Sequence, residues 1–315
     1  MKHPIDPKID CVFKALLGTE RNRRLLIHFL NAVLAGEFTA PIIEVEILNP
    51  YNEREFLDDK LSIVDVKARD STGRLYQIEI QLLNIPDLPA RILYGWTDLY
   101  SAQLQDGESY DRLRPTFSIW LLAQTLRPRI TEAIHRFRLR DEQGRSLVDH
   151  GGIWLLELSK CQIEVVENEQ DRWLKFFVEG GRLDDEHLPL WMQTEEMHQA
   201  MSTLKAFSEK ERAYHEYQAR QNYLRQQKSI ENHMNALRTE IEQAQEQIRV
   251  AKEQAQVAEE QARAAEEQAR AAEEQARAAE EQARAAEKQA QVEKEAALAE
   301  IERLKALLQK SSYDS

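Results

Sequence analysis

Two carboxylates, Asp65 and Glu79, lie in a stretch that brings them face to face. Residues 61–82 read LSIVDVKARDSTGRLYQIEIQL. Two β-rich runs flank Asp70-Ser71-Thr72-Gly73, a turn cluster whose glycine suits a left-handed backbone. Val64, Val66 and Ala68 share one face with Tyr76, Ile78, Ile80 and Leu82. Asp65, Lys67 and Arg69 share the other with Gln77, Glu79 and Gln81, as a period of two requires. A turn centred on Thr72 sets Asp65 opposite Glu79, Lys67 opposite Gln77 and Ile63 opposite Gln81. Such partners have Cβ atoms about 4.5–5.5 Å apart. Two carboxylates at that separation repel unless the surface is wet or a cation lies between them. Mg²⁺ binds through one or two carboxylates together with waters and substrate phosphates. Asp65 and Glu79 are therefore the candidate catalytic and metal-binding residues. The same alternation also describes a half-exposed hairpin with an ordinary polar face.

The elements around the hairpin set the fold class. A helix is expected from Asp10, which suits a helix cap, through Val12, Phe13, Leu16 and Leu17. A second, from Asn22 to Leu34, carries Leu25, Leu26, Phe29, Leu30 and Val33 on one stripe. A strand is expected over Pro41–Leu48, and then a polar linker leads to Lys60 at the hairpin's entrance. A helix from Ile85 to Gln105 carries Arg91, able to reach a phosphate, and Tyr94, able to line a groove. Strands follow at Pro115–Leu122 and Ile153–Leu158. Between them, residues 137–140 and 146–148 read as a second hairpin. Helices continue from Asn168 to Phe207, broken near Gly180-Gly181 and Pro189. The order predicts an α/β or α+β domain spanning residues 1–207, large enough for a real core.

Composition narrows the class. The net charge is −13, so contact with DNA requires a local basic strip or a metal. Two cysteines, Cys11 and Cys161, have no CxxC spacing and no histidine cluster beside them. That argues against zinc or a disulfide framework and fits a reducing, cytoplasmic setting. The segment MKHPIDPKID has no apolar core of a signal peptide. No run approaches the ~18 apolar residues of a membrane span.

Residues 208–315 are different. No Gly follows Gly181 and no Pro follows Pro189. From Ala258 to Ala285 the unit AEEQARA repeats four times unchanged, a period of seven. Glu259–Arg263 and Glu266–Arg270 are i,i+4 pairs in the favoured order, each worth about 0.2–0.5 kcal/mol. A long helix is expected. Its seam is alanine in the middle, at Ala262, Ala265, Ala269 and Ala272, and buries little area per heptad. The stronger seam residues are Ile230, Met234, Leu237, Ile241 and Ile248, then Leu298, Ile301, Leu304, Leu307 and Leu308. Self-association as a coiled coil is expected there, and the alternative is a solvated, charge-laced helix with no partner.

Three blocks in order, DCVFKALLG with Asp10, Phe13 and Lys14, then DDKLSIVDVKARDSTGRLYQIEIQ, then ARILYGWTDLYSAQLQDGESYDRLRPTFSI, resemble the Rpn family. These are PD-(D/E)XK-type recombination-promoting nucleases or transposases. The resemblance implies a restriction-endonuclease-like core, with a mixed sheet flanked by helices, and metal-dependent hydrolysis of DNA phosphodiesters with Mg²⁺ or Mn²⁺. Asp65 would take the metal-binding Asp position and Glu79 the acidic position of the ExK element. Gln81 stands where the wider superfamily has Lys. Its amide donates a hydrogen bond but neither acts as a base nor carries charge. Lys67 is then the first substitute and Lys60 the second, while Asp10 and Lys14 are possible accessory residues. The departure at Gln81 and the acidic field keep a second class open, an inactive nuclease-like domain serving as a coiled-coil scaffold or interaction module. No helix-turn-helix or zinc finger supports a separate sequence reader.

Overall fold

A computed structural model of the chain describes residues 1–49 and 65–311. Among these residues the strands are β1 (Val45–Ile47), β2 (Asp65–Asp70), β3 (Leu75–Gln81), β4 (Thr116–Leu122), β5 (Ile134–Phe137) and β6 (Gly151–Glu157). They form one sheet in the order β1-β2-β3-β4-β6-β5. β2 runs antiparallel to both β1 and β3, β3, β4 and β6 run parallel, and β5 returns antiparallel on β6. The helices are α1 (Asp10–Leu17), α2 (Arg23–Val33), α3 (Leu88–Ser101), α4 (Glu169–Glu179), α5 (Glu195–Glu209) and α6 (Glu211–Ser311).

The hairpin turn is built by one side chain. Asp70 Oδ1 accepts the N–H of Thr72 at 2.9 Å, the N–H of Arg74 at 3.0 Å and the Thr72 hydroxyl at 2.8 Å. Its Oδ2 accepts from Arg74 Nε at 2.6 Å and from the buried Tyr76 hydroxyl at 2.8 Å. Burial raises this carboxyl, but the hydrogen bonds from Thr72, Tyr76 and Arg74 outweigh it and leave it below the usual range. Gly73 completes the turn with φ 86°, a conformation that costs glycine little. The same Asp-x-x-Gly-Arg pattern recurs at residues 141–145, with the same result. Asp141 caps the N–H groups of Gln143 and Arg145, and Gly144 has φ 80°. A five-residue pattern thus sets its own local structure, independent of burial.

The sheet separates two cores. Val66, Ala68, Tyr76, Ile78, Phe117, Ile119 and Trp154 join the larger one with Phe13, Phe29, Trp173 and Phe177 from the helices. Trp120, Leu122, Ile153 and Leu155 form the smaller one with Leu88 and Ile92 of α3. β4 is buried along its whole length, which explains its largely apolar sequence in the middle of a parallel sheet. The hairpin's polar face is not half-exposed as alternation alone suggests. On β3, Gln77 and Glu79 are each 4% exposed.

Other expectations shift by position. Asp10 is the first residue of α1 rather than its cap, a place taken by Ile9. The expected strand over Pro41–Leu48 shortens to β1. The second hairpin reduces to its turn and one isolated bridge, Arg140 to Ser146, because the preceding residues pair as β5 with the buried strand β6 instead. The division at 207/208 falls inside α5, and the first compact unit runs from Met1 to Glu231. The start of α6 belongs to it. Tyr217 is buried and its hydroxyl accepts the Asp6 N–H at 3.0 Å. Arg220 Nε lies 3.2 Å from Asp10 Oδ2.

The second unit, Asn232–Ser315, is helical through Ser311. Each unchanged repeat carries its i,i+4 pair, Glu259–Arg263, Glu266–Arg270, Glu273–Arg277 and Glu280–Arg284, at 2.7–3.2 Å. The expected seam residues Met234, Leu237, Ile241, Ile248, Leu298, Ile301 and Leu304 are 38–56% exposed. The side chains of Leu307 and Leu308 lie outside the described set. Among the described residues no helix is long and apolar enough to cross a membrane.

Candidate active site

Backbone pairing sets Asp65 directly opposite Glu79 and Lys67 opposite Gln77. This is the register that the turn cluster implies. β3 then pairs in parallel with β4, which puts Glu79 beside Trp120 and Gln81 beside Leu122. The acidic pair is therefore on the hairpin at the carboxyl end of the parallel strands, where open α/β sheets form crevices.

Glu79 is the centre of the described part of the site. One carboxylate oxygen, Oε1, accepts from Gln77 Nε2 at 2.6 Å. The other, Oε2, lies 3.5 Å from Arg91 Nη2. Arg91 comes from α3, the crossover helix between β3 and β4, and its guanidinium also lies over the Trp120 ring, 5.8 Å from the centroid. A buried carboxylate needs such partners, since an uncompensated charge away from water costs several kcal/mol. Gly95, one helical turn beyond Arg91, lets α3 lie close over Gln77, where a Cβ would meet both amide atoms at 3.6 Å. Gln77 Oε1 is buried without a hydrogen-bond partner among the described residues.

The other sequence candidates divide. Gln81 is half-buried and its Nε2 donates to the Leu83 carbonyl at 2.7 Å. Lys67 is half-buried on β2, with its backbone N–H on Asn49 Oδ1 at 2.7 Å. Lys14 is half-buried in the last turn of α1, a helix whose end abuts β2 through Gly18 and Val66. Asp10 is engaged by Arg220 of α6. Burial still leaves its carboxyl above the usual range, against the opposing pull of Arg220, the Cys11 N–H and Lys14. That engagement ties Asp10 to α6. Tyr94 is 71% exposed on α3. Lys60 lies outside the described residues. Gln77 was not a sequence candidate. Its signal was present, two residues before Glu79 on the same face of the strand, but alternation does not distinguish a buried amide from a wet one.

The donors suit a hard cation. Glu79 offers carboxylate oxygen, the neighbouring Gln77 offers an amide oxygen, and Asp65 is its register partner. Oxygen sets of this kind take Mg²⁺ or Mn²⁺ rather than thiophilic metals. Among the described residues no group of three or more His, Cys, Asp or Glu side chains gathers to hold a metal.

A helix-flanked mixed sheet, with an antiparallel hairpin feeding a parallel core and an acidic pair across that hairpin, defines an α/β fold of the nuclease type. The family model described as PD-(D/E)XK nuclease family transposase matches residues 7–233, and the chain belongs to that family. Comparisons with curated proteins and with solved structures returned no match. Membership supports a nuclease or transposase-related role, and nucleases of this class typically use divalent metals.

Proposed function

We propose that this protein is a divalent-metal-dependent DNA endonuclease that hydrolyses phosphodiester bonds in the service of recombination or transposition. The observation that carries the reading is the register of Asp65 against Glu79, with Glu79 buried between an amide and a guanidinium. Asp65 and Glu79 would hold Mg²⁺ or Mn²⁺. When bound, such an ion polarises a scissile phosphate and acidifies water. Arg91 balances the charge of Glu79 before substrate arrives and supplies donors to a phosphate afterwards. Gln81 orients by hydrogen bonding. Lys67, on the same strand as Asp65, is the proposed source of the positive charge that the superfamily takes from its lysine, with Lys60 as the second choice.

Supercoiled plasmid is expected to be nicked with Mg²⁺ or Mn²⁺ and left intact in chelator. Asp65→Asn is expected to lower the rate by at least about 100-fold, since even loss of a supporting partner of a metal ligand costs about 10–100-fold. Metal-independent nicking, or equal nicking by Asp65→Asn, refutes the assignment.

One observation favours a second reading, an inactive nuclease-like domain that works as a scaffold. Gln81 directs its amide to the Leu83 carbonyl, where an active superfamily site has a lysine. Absence of both cleavage and calorimetric metal binding would favour it. In either case the exposed seam of α6 is proposed to pair two or more copies. Sedimentation equilibrium is expected to give a dimer or larger for the full chain and a monomer for a chain ending at Glu231. A monomeric full chain at micromolar concentration rules the pairing out.

A further inference from the structure

The loop between β4 and β5, residues 123–133, ends the sheet on the same edge as the candidate site. Its start is tied to the site strand: Ala123 N–H donates to the Gln81 carbonyl at 2.9 Å. Asn84, just after β3, is fastened to it twice, by its N–H on Gln124 Oε1 at 2.7 Å and by its Nδ2 on the Thr125 carbonyl at 2.9 Å. Its middle is held by Glu157, the last residue of β6, which is fully buried. Glu157 Oε1 accepts the N–H groups of Leu126 at 2.5 Å and Arg127 at 2.8 Å. Its Oε2 meets Lys160 and, at 3.2 Å, His135 Nε2. Lys160 Nζ in turn donates to the carbonyls of Arg127 at 2.8 Å and Ile130 at 2.7 Å.

Such a loop has its backbone polar groups satisfied by buried charges, yet it sends two cations outward. Arg127 and Arg129 are exposed, and neither makes an ion pair among the described residues. Arg127 is braced against the Phe137 ring, 5.0 Å from its centroid. Gln81, Leu122 and Glu157 are register partners across β3, β4 and β6. Two strand spacings, about 10 Å, therefore separate the site strand from the residue that anchors Arg127. Glu79, Trp120 and Leu155 are partners two residues back along the same strands, on the same face, and His135 and Phe137 continue that face onto β5. Arg127 thus stands on the face that carries Glu79 and Arg91. In a chain of net charge −13, a rigid cationic point beside an acidic site is what a polyanion needs for close approach.

We propose that Arg127 and Arg129 form a DNA backbone clamp, each holding a phosphate a few nucleotides from the bond at Asp65 and Glu79, and that Glu157 is the residue positioning it. The proposal rests on the nuclease reading for its substrate. The clamp positions DNA and takes no part in bond cleavage.

The test is duplex binding by the full chain in chelator, read by fluorescence anisotropy between about 50 and 200 mM salt. Each lost phosphate contact lowers the slope of log affinity against log salt by about 0.9. Arg127→Ala/Arg129→Ala is expected to lower it by nearly twice that, and to raise KM for plasmid nicking several-fold with kcat within twofold. Both changes are on the surface, and circular dichroism would verify the fold. An unchanged slope with unchanged KM overturns the clamp, as does wild-type protein that binds no duplex at the lowest salt. The two readings fail separately. Arginine-dependent binding without any metal-dependent nicking keeps the clamp and removes the nuclease. Nicking that depends on Asp65 but not on either arginine does the reverse.

Discussion

Glu79→Gln is expected to lower metal-dependent plasmid nicking by at least about 100-fold and to abolish calorimetric Mg²⁺ or Mn²⁺ binding, while leaving the protein folded. The substitution keeps the shape of the side chain. Its amide oxygen can still accept from Gln77 Nε2, which lies 2.6 Å from Glu79 Oε1. The new amide group would face Arg91, donor against donor, where Oε2 now lies 3.5 Å from Nη2. The cost to stability is therefore that of one ion-pair contact with a half-exposed guanidinium, on the order of 1 kcal/mol. Activity should fall much further, because an amide in place of one of two carboxylates removes a hard anionic ligand. Urea unfolding and nicking rate, measured on one preparation, separate the effects. A variant that is folded and nicks at the wild-type rate would remove Glu79 from the site. Arg91→Ala offers a contrast, since it removes a guanidinium from beside a buried carboxylate. Its loss should appear in stability as well as in rate.

The largest stability effect is expected at Glu157. Glu157→Ala removes a fully buried carboxylate that accepts from two backbone N–H groups and pairs with the partly buried Lys160. Breaking one side of such a pair costs about 3–5 kcal/mol, a large part of the stability of an ordinary domain. Replacing both Glu157 and Lys160 by apolar residues of similar volume is expected to cost less than the single change, since no charge is then stranded, although the N–H groups of Leu126 and Arg127 still lose their acceptor. The carboxyl also sets a pH dependence. Burial raises it, but the hydrogen bonds from Lys160, Arg127 N–H, His135 and Leu126 N–H prevail and hold it below the usual glutamate value. The stability it contributes is therefore complete above the unfolded-chain value, near 4.5, and is lost as pH falls through the lower folded value. Unfolding midpoints taken between neutral pH and about pH 3 should show wild type losing more stability than Glu157→Ala. Parallel curves would refute the assignment.

Much of the candidate site could be read from residues 61–82. Strand alternation and a self-capping turn are local, so Asp70 and Gly73 set the hairpin and its register without help from the rest of the chain. That is why the Asp65–Glu79 and Lys67–Gln77 pairings follow from spacing alone. The long helix was equally legible, because the heptads contain no breakers and each Glu–Arg pair lies within one turn. The second hairpin was misread for the complementary reason. Its turn at Asp141 is local and formed as expected, but strands need a partner, and β6 offered a better one to residues 134–137 than residues 146–148 did.

What the sequence determined, then, was a set of residues and their spacing: two acids opposed across a hairpin, a glutamine where the wider superfamily has a lysine, and a helix of repeats. Tertiary structure decided the environment of those groups. It laid α3 over the polar face, so that Glu79 is buried and held by Gln77 and Arg91, and it gave Asp10 to Arg220 from a helix two hundred residues later in the chain. It also drew residues 123–133 to the edge of the site through Glu157. Burial and ion pairing depend on which distant segments meet, and no local pattern of residue types carries that information.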